Sequence, residues 1–245
     1  MGLKLEMAAL THKGMVREQN EDALYYSERD RTIIVCDGMG GHAGGSIASE
    51  LAVEVVSNGI RQMKPHDWAS EEKVIEAVKN AIFKANDHIL SRAHSDPSLY
   101  DMGTTITMLA FMDDRVITAN IGDSRIYRIA DGQLEQVSQD HSLVAERIAA
   151  GELDPNSQEA RMLSNILTRA LGMDRITVDI TIETLVPGDV YLLCTDGLSD
   201  MVSNADICRV VNENDDLQLA CVRLIDLANR RGGNDNITAA TARIS

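Results

Sequence analysis

The chain has 245 residues, 38 acidic against 23 basic, and a formal net charge of −15. That balance, with no run of Lys or Arg, excludes a nucleic-acid or anionic-membrane surface, and 3% aromatic residues leave little for base stacking. A chain this long can bury a substantial core, and Cys36, Cys194, Cys208 and Cys221 form no CxxC pair, as expected of free thiols in a reducing compartment.

No apolar leader precedes Leu5 and no apolar stretch reaches membrane length, so a soluble, cytoplasmic protein is expected. Leu5 to Leu10 and Thr32 to Cys36 read as strands, the second almost wholly apolar and therefore central. Between them Arg17-Glu18-Gln19-Asn20-Glu21-Asp22 reads as a charged loop. From Gly45, the residues Ile47, Leu51 and Val55, with Ala48, Ala52 and Val56 beside them, form an apolar stripe at helical spacing. A second helix opens at Ser70, whose hydroxyl can cap it ahead of Glu71 and Glu72, and runs through Val74, Val78, Ile82 and Ile89.

Strand signals then cluster at Thr104 to Phe111, Arg115 to Asn120 and Ser124 to Ile129, with a hairpin at Asp131-Gly132 into Leu134 to Val137. This pattern predicts an antiparallel meander. His141 to Leu171 is helical but broken by Gly151 and Pro155, and reads as a peripheral, mobile insertion. Strands return at Ile176 to Glu183 and Asp189 to Cys194, helices at Ala205 to Asn212 and Leu217 to Arg230, and a strand runs from Asn236 to Ile244. Grouped strands and paired helices indicate α+β layering rather than βαβ alternation.

Four aspartates stand at the ends of apolar runs or beside Gly, Asn or Ser: Asp37, Asp123, Asp196 and Asp235. A strand ending in an Asp-Gly turn holds its carboxylate on a rigid rim, and the glycine lets a ligand approach the backbone. Repeated from distant parts of the chain, the pattern suggests carboxylates gathered round a hard cation, and their spread favours one domain. Gly38-Met39-Gly40-Gly41-His42-Ala43 also satisfies a dinucleotide-binding pattern. An aspartate directly before its first glycine would repel a pyrophosphate, however, and the following region is helical where that fold needs a strand. Arg17 near these acids has planar donors that match phosphate oxygens.

The motifs Arg17-x-x-Asn20-Glu21-Asp22, Asp37-Gly38-Met39-Gly40-Gly41-His42, Gly103-Thr104-Thr105, Gly122-Asp123-Ser124-Arg125, Thr195-Asp196-Gly197-Leu198 and Asp235-Asn236-Ile237-Thr238 run in a telling order. It is the order of the PP2C (PPM) family of metal-dependent protein serine/threonine phosphatases. Over nearly its whole length the chain resembles the compact bacterial members. The resemblance implies an α+β fold, a four-layer α-β-β-α sandwich of two antiparallel sheets flanked by helix pairs. It also implies a single catalytic domain over residues 1–245, with a flap at about 141–171.

Two central Mn²⁺ or Mg²⁺ ions are implied, with Asp37 bridging both and Asp196 and Asp235 completing one. The Gly38 carbonyl and Glu21 would face the other, largely through water. Asp123 with Asp196 would hold a third, weaker ion. Arg17 and Asp37 are the implied catalytic residues, Arg17 by binding phosphate. The implied reaction is hydrolysis of phosphoserine and phosphothreonine in phosphorylated proteins by a metal-activated water. The implied enzyme is a monomer that opposes a bacterial serine/threonine kinase.

Elementary chemistry agrees: a phosphomonoester dianion repels hydroxide, and oxygen donors without zinc-type Cys or His spacing favour hard ions. Met39 is a departure, since many eukaryotic relatives carry a histidine there that is proposed to protonate the leaving oxygen. His42 lies nearby and reads as a loop-packing or substrate-contact residue. Two other readings are a catalytically dead phosphoprotein-binding module, against which the intact acid set argues, and a nucleotide-binding oxidoreductase.

Overall fold

A computed structural model describes residues 4–40, 44–155, 157–163 and 165–245. One sheet has the order β1 (Leu5–His12), β11 (Ile237–Ile244), β10 (Val190–Cys194), β7 (Arg125–Ala130) and β8 (Gln133–Gln136). The other has the order β2 (Asp22–Ser27), β3 (Thr32–Met39), β5 (Ile106–Phe111), β6 (Arg115–Ile121) and β9 (Asp179–Thr184), with the short β4 (Gly103–Thr104) paired to the end of β3. Every pairing between these strands is antiparallel, which removes the dinucleotide-fold alternative.

Period-two alternation sorts the side chains into layers. On β3, Ile33 and Val35 face the opposite sheet, while Ile34 and Cys36 face α1 (Gly44–Arg61) and α2 (Glu71–Ser95). On β10, Tyr191 and Leu193 point between the sheets, and Leu192 and Cys194 point to α6 (Asn204–Asn212) and α7 (Leu217–Arg230). The result is helices, sheet, sheet, helices, with an apolar layer at each of the three interfaces. Phe111 meets Tyr191 edge-on across the middle layer, ring centroids 6.2 Å apart. Ser70 caps α2 by accepting from the Lys73 N–H, with Glu71 and Glu72 in the first turn, as its sequence predicts. Cys36, Cys194 and Cys221 are buried free thiols and Cys208 is a half-buried one. Among the described residues no helix is long and apolar enough to cross a membrane.

Three sequence expectations are corrected. The charged loop ends at Asp22, where β2 begins, a strand hidden by its polar neighbours; Leu24 packs toward the inter-sheet layer and Tyr25 toward the helices. The meander is split: β5 and β6 belong to one sheet, β7 and β8 to the other, and the chain crosses between them at Gly122-Asp123-Ser124. The apolar run at 104–111 is two strands rather than one, divided at Thr105. The segment expected as a flap contains α3 (Leu143–Ala149) and α4 (Gln158–Leu163), and returns to the body through bridges Ser142↔Leu167 and Thr104↔Leu171.

Asn86 ties α2 to the stretch that follows this segment. It is buried, its Nδ2 donates to the Met173 carbonyl at 3.1 Å, and its Oδ1 accepts from the Gly172 N–H at 2.7 Å. Asn86→Ala strands both backbone groups and is expected to lower the unfolding free energy by about 2 kcal/mol. Urea denaturation checks this, and a loss below about 0.5 kcal/mol would show that water satisfies both groups.

Candidate active site

The candidate metal and phosphate ligands named from the sequence meet at one end of the sandwich. Arg17, Glu21, Asp37, Gly38, Asp123, Asp196 and Asp235 line one cavity of about 320 Å³, together with Thr105, Asn165 and Asn236 among others. His42 lies outside the described residues. Asp37 stands within β3, close to its end and opposite Asp22 of β2. Asp123 sits on the crossing between the sheets. Asp196 opens the short helix α5 (Asp196–Ser199) directly after β10, and Asp235 precedes β11, the neighbour of β10.

The glycine that follows Asp37 or Asp196 makes room for backbone from another segment. A methyl on Gly38 would stand 2.1 Å from the Gly45 carbonyl oxygen and 2.6 Å from that of Glu21. On Gly197 it would stand 2.0 Å from the Asn236 carbonyl oxygen. Only backbone fits there, so two chain segments can close on each carboxylate from behind. Gly122, with φ +109°, is needed instead for the turn that carries Asp123.

A hydrogen-bonded frame fixes these segments. Asn236 accepts from the Glu21 N–H at 2.8 Å through Oδ1 and donates through Nδ2 to the carbonyls of Lys13 and Gln19, at 3.0 and 2.8 Å. Ser49 of α1 donates to the Glu21 carbonyl at 2.6 Å. Thr105 accepts from the Asp37 N–H at 2.9 Å, and its hydroxyl pairs with that of Ser124 at 2.8 Å, linking β3 to the Asp123 turn. Arg17 donates to Asp235 at 2.7 Å, a half-exposed pair that takes little energy to open.

The acids disfavour their own ionisation. Burial, then Asp22 and Asp196, pushes the Asp37 carboxyl well above the ordinary range. Burial raises Asp123 to about 7, with Asp196 adding to it. Asp196 is raised to about 6 by burial, Asp200 and Asp235, against a hydrogen bond with Asp37. Asp22, which the sequence reading left without a role, is buried and raised to about 7 even though Thr238 and Thr195 donate to its Oδ2 at 2.6 and 2.9 Å.

Asp22 Oδ1 and Asp196 Oδ1 are buried without a hydrogen-bond partner. Orphaned carboxylate oxygens in an all-oxygen surround fit a hard divalent cation. Among the described residues no three His, Cys, Asp or Glu side chains enclose an ion by themselves, so an ion held there would need backbone or water oxygens as well.

A second missed residue is His141, 3% exposed. Its Nδ1 accepts from the Gly122 N–H at 3.1 Å and its own N–H donates to the Gly122 carbonyl at 3.0 Å. That leaves the proton on Nε2, which meets Asp179 of β9 at 2.9 Å, and Arg169 holds the other Asp179 oxygen at 3.0 Å. His141 thus clasps the turn that carries Asp123. Its partners lie 19 and 38 residues away, so no local pattern announces it. Arg125 and Asp140, bonded at 2.6 Å, brace the same corner.

The family model for Protein phosphatase 2C matches residues 12–223. The chain is 38% identical over 241 residues to the protein phosphatase PhpP of Streptococcus pneumoniae, covering 96% of each. It is 33% identical over 242 residues to the serine/threonine protein phosphatase PstP of Mycobacterium tuberculosis, where it spans 99% of its own length and 45% of that relative's. Its fold matches, with TM-score 0.88 and 34% identity over 99% of both chains, a crystal structure of the PstP catalytic domain in complex with 2 manganese ions.

Raised carboxyl pKa values set a sign for stability. Asp22, Asp123 and Asp196 bind protons more tightly folded than unfolded, so the folded state carries extra protons above the unfolded range and loses stability as pH rises through about 6 to 7. Chelator-treated protein is therefore expected to melt higher at pH 5.5 than at pH 8, by about 5 °C. Added Mn²⁺ should raise the melting temperature most at pH 8. Scanning fluorimetry at several pH values checks both, and a melting temperature that climbs with pH in chelator would contradict the account.

Proposed function

The chain belongs to the protein phosphatase 2C family, and from that premise we propose that it hydrolyses phosphoserine and phosphothreonine monoesters in proteins with Mn²⁺ or Mg²⁺. The observation that carries this is the meeting of Asp37, Asp123, Asp196 and Asp235 with Glu21 and Arg17 on one cavity. In this reading residues 1–245 form one catalytic unit, with 141–171 as a flap whose Asn165 and Leu167 reach the cleft. The enzyme acts as a monomer in the cytoplasm of a bacterial cell and opposes a serine/threonine kinase.

Asp37 is central to the acid set and would serve two ions, one shared with Asp196 and Asp235 and the other with Glu21 and the Gly38 carbonyl. Asp123 and Asp196 would hold a third, weaker one. When bound, the ions neutralise the phosphate dianion and make a water nucleophilic at neutral pH. The chain supplies position. Thr105 and the β2 partner fix Asp37, and His141 fixes the Asp123 turn. Arg17 turns from Asp235 to take a phosphate oxygen, which its exposure permits. Met39 has no proton to give, so the leaving oxygen draws its proton from another donor.

Purified protein is expected to hydrolyse a phosphothreonine peptide with Mn²⁺ and not with chelator. Asp37→Asn and Asp235→Asn should each abolish turnover with the fold intact by circular dichroism. If Asp37→Asn kept more than about a tenth of wild-type turnover, the metal assignment would be wrong. Arg17→Ala should raise KM for phosphopeptide several-fold and leave kcat nearer wild type. An unchanged KM returns Arg17 to a surface ion pair with Asp235.

A further inference from the structure

A second cavity, of about 410 Å³, opens beside the catalytic one, and Met39 lines both. Its walls come from α2, from residues 100–103 and from residues 171–174. Apolar side chains make the interior: Met39, Leu90, Met102, Leu171 and Met173. The mouth is polar, with Tyr100 75% exposed and the carboxylates of Asp101 and Asp174 in solvent. Three of the interior side chains are thioethers, unbranched and polarizable, which adapt to ligands of different shape.

The partition between charged cleft and apolar hollow follows from strand pairing. Met39 is the partner of Gly103 across β3 and β4, and a methyl on Gly103 would stand 2.8 Å from Met39 Cε. The Met39 side chain therefore lies over Gly103, where the two cavities adjoin. The hollow is also preformed. Thr104 and Leu171 exchange both backbone hydrogen bonds, at 3.1 and 2.8 Å, and Asn86 clamps Gly172 and Met173.

The distance along the chain is short. Met39 is two residues beyond Asp37, within about 7.6 Å by Cα spacing. An extended peptide advances about 3.3 Å per residue. A side chain entering the hollow from a peptide held at the catalytic cleft thus belongs to a residue about two or three places from the phosphorylated one. A small free ligand would need polar groups converging inside to orient it. Here the acidic groups stand at the mouth, where they suit a basic residue further along a peptide.

We propose that this hollow is a specificity subsite that receives one bulky apolar side chain, such as Leu, Met or Phe, of the phosphopeptide substrate, two or three residues from the phosphorylated residue. The proposal rests on the phosphatase reading above. It gives Met39 a role that its chemistry allows, as the apolar wall between the reacting phosphate and the side chain that identifies the substrate.

The test is a panel of phosphothreonine peptides, alanine-rich, with a single Leu moved from four residues before to four after the phosphothreonine. An aryl phosphate reports turnover independent of the hollow. Wild type is expected to prefer Leu at one position two or three residues away by about tenfold in kcat/KM, through KM. Leu90→Lys and Met173→Lys, both at part-exposed positions outside the lining of the catalytic cavity, should erase that preference. Their rates on the aryl phosphate and the all-alanine peptide should stay at wild type.

No preference above about twofold at any position, or a preference that survives in both variants, would overturn the subsite while leaving the phosphatase reading intact. Failure to hydrolyse any peptide or the aryl phosphate with Mn²⁺ would overturn that reading, and the subsite with it.

Discussion

Carboxylates repel one another, and an end of a sandwich that gathers Asp22, Asp37, Asp123, Asp196 and Asp235 must be held together by something other than the acids. Much of the holding is done by groups with no charge of their own. Thr195 and Thr238 grip Asp22, Thr105 ties Asp37 to the opposite sheet's turn, and Asn236 pins three separate backbone groups. Behind them the middle layer of Ile33, Val35, Phe111, Tyr191 and Leu193 resists any splaying of the sheets. Apolar packing at the centre of the molecule thus sustains an electrostatically unfavourable cluster at its rim, and a divalent cation bound there would relieve the repulsion. That relation joins the fold to the proposed chemistry more closely than any single ligand does.

Much of this was legible in the sequence. Alternation and apolar runs locate most strands, Ser70 and the acids after it locate the start of α2, and the Asp-Gly motifs pick out the residues that line the cleft. What local reading misses is pairing over distance. β2 looks like loop because the stretch leading into it and its first residue are polar or charged, and it becomes a strand only against β3. Asp22 looks like one more acid of a polar stretch until two threonines from beyond residue 190 bond to it. The space beside Gly38 and Gly197 is filled by backbone from other segments, a packing demand that no local pattern shows. His141 gives no signal at all, because both of its contacts are made by the fold.

The charge balance takes on a second meaning once the cleft is known. A net charge of −15 raises the local concentration of divalent cations and discourages free phosphate, so discrimination falls to the few cations and apolar surfaces at the cleft. Among the described residues Arg17 is the cation lining it. Its pairing with Asp235 keeps the guanidinium close to the place where a phosphate would arrive.

The pairing of β1 with β11, from Leu5↔Ile244 to His12↔Ile237, has a consequence for biosynthesis. β1 leaves the ribosome long before β11, so the sheet that carries both stays open until β11 has been made. Asp235 and Asn236 arrive with that strand, and without them Arg17 lacks its carboxylate partner and the Glu21 N–H its acceptor. A nascent chain can assemble α1 and α2 on their own sheet early, since those contacts are nearer in sequence, but it holds an unfinished acid rim until β11 has been made. The rim therefore closes only once β11 has paired, and a chain cut before that strand would keep the helices of the other sheet without the Asp235 and Asn236 contacts.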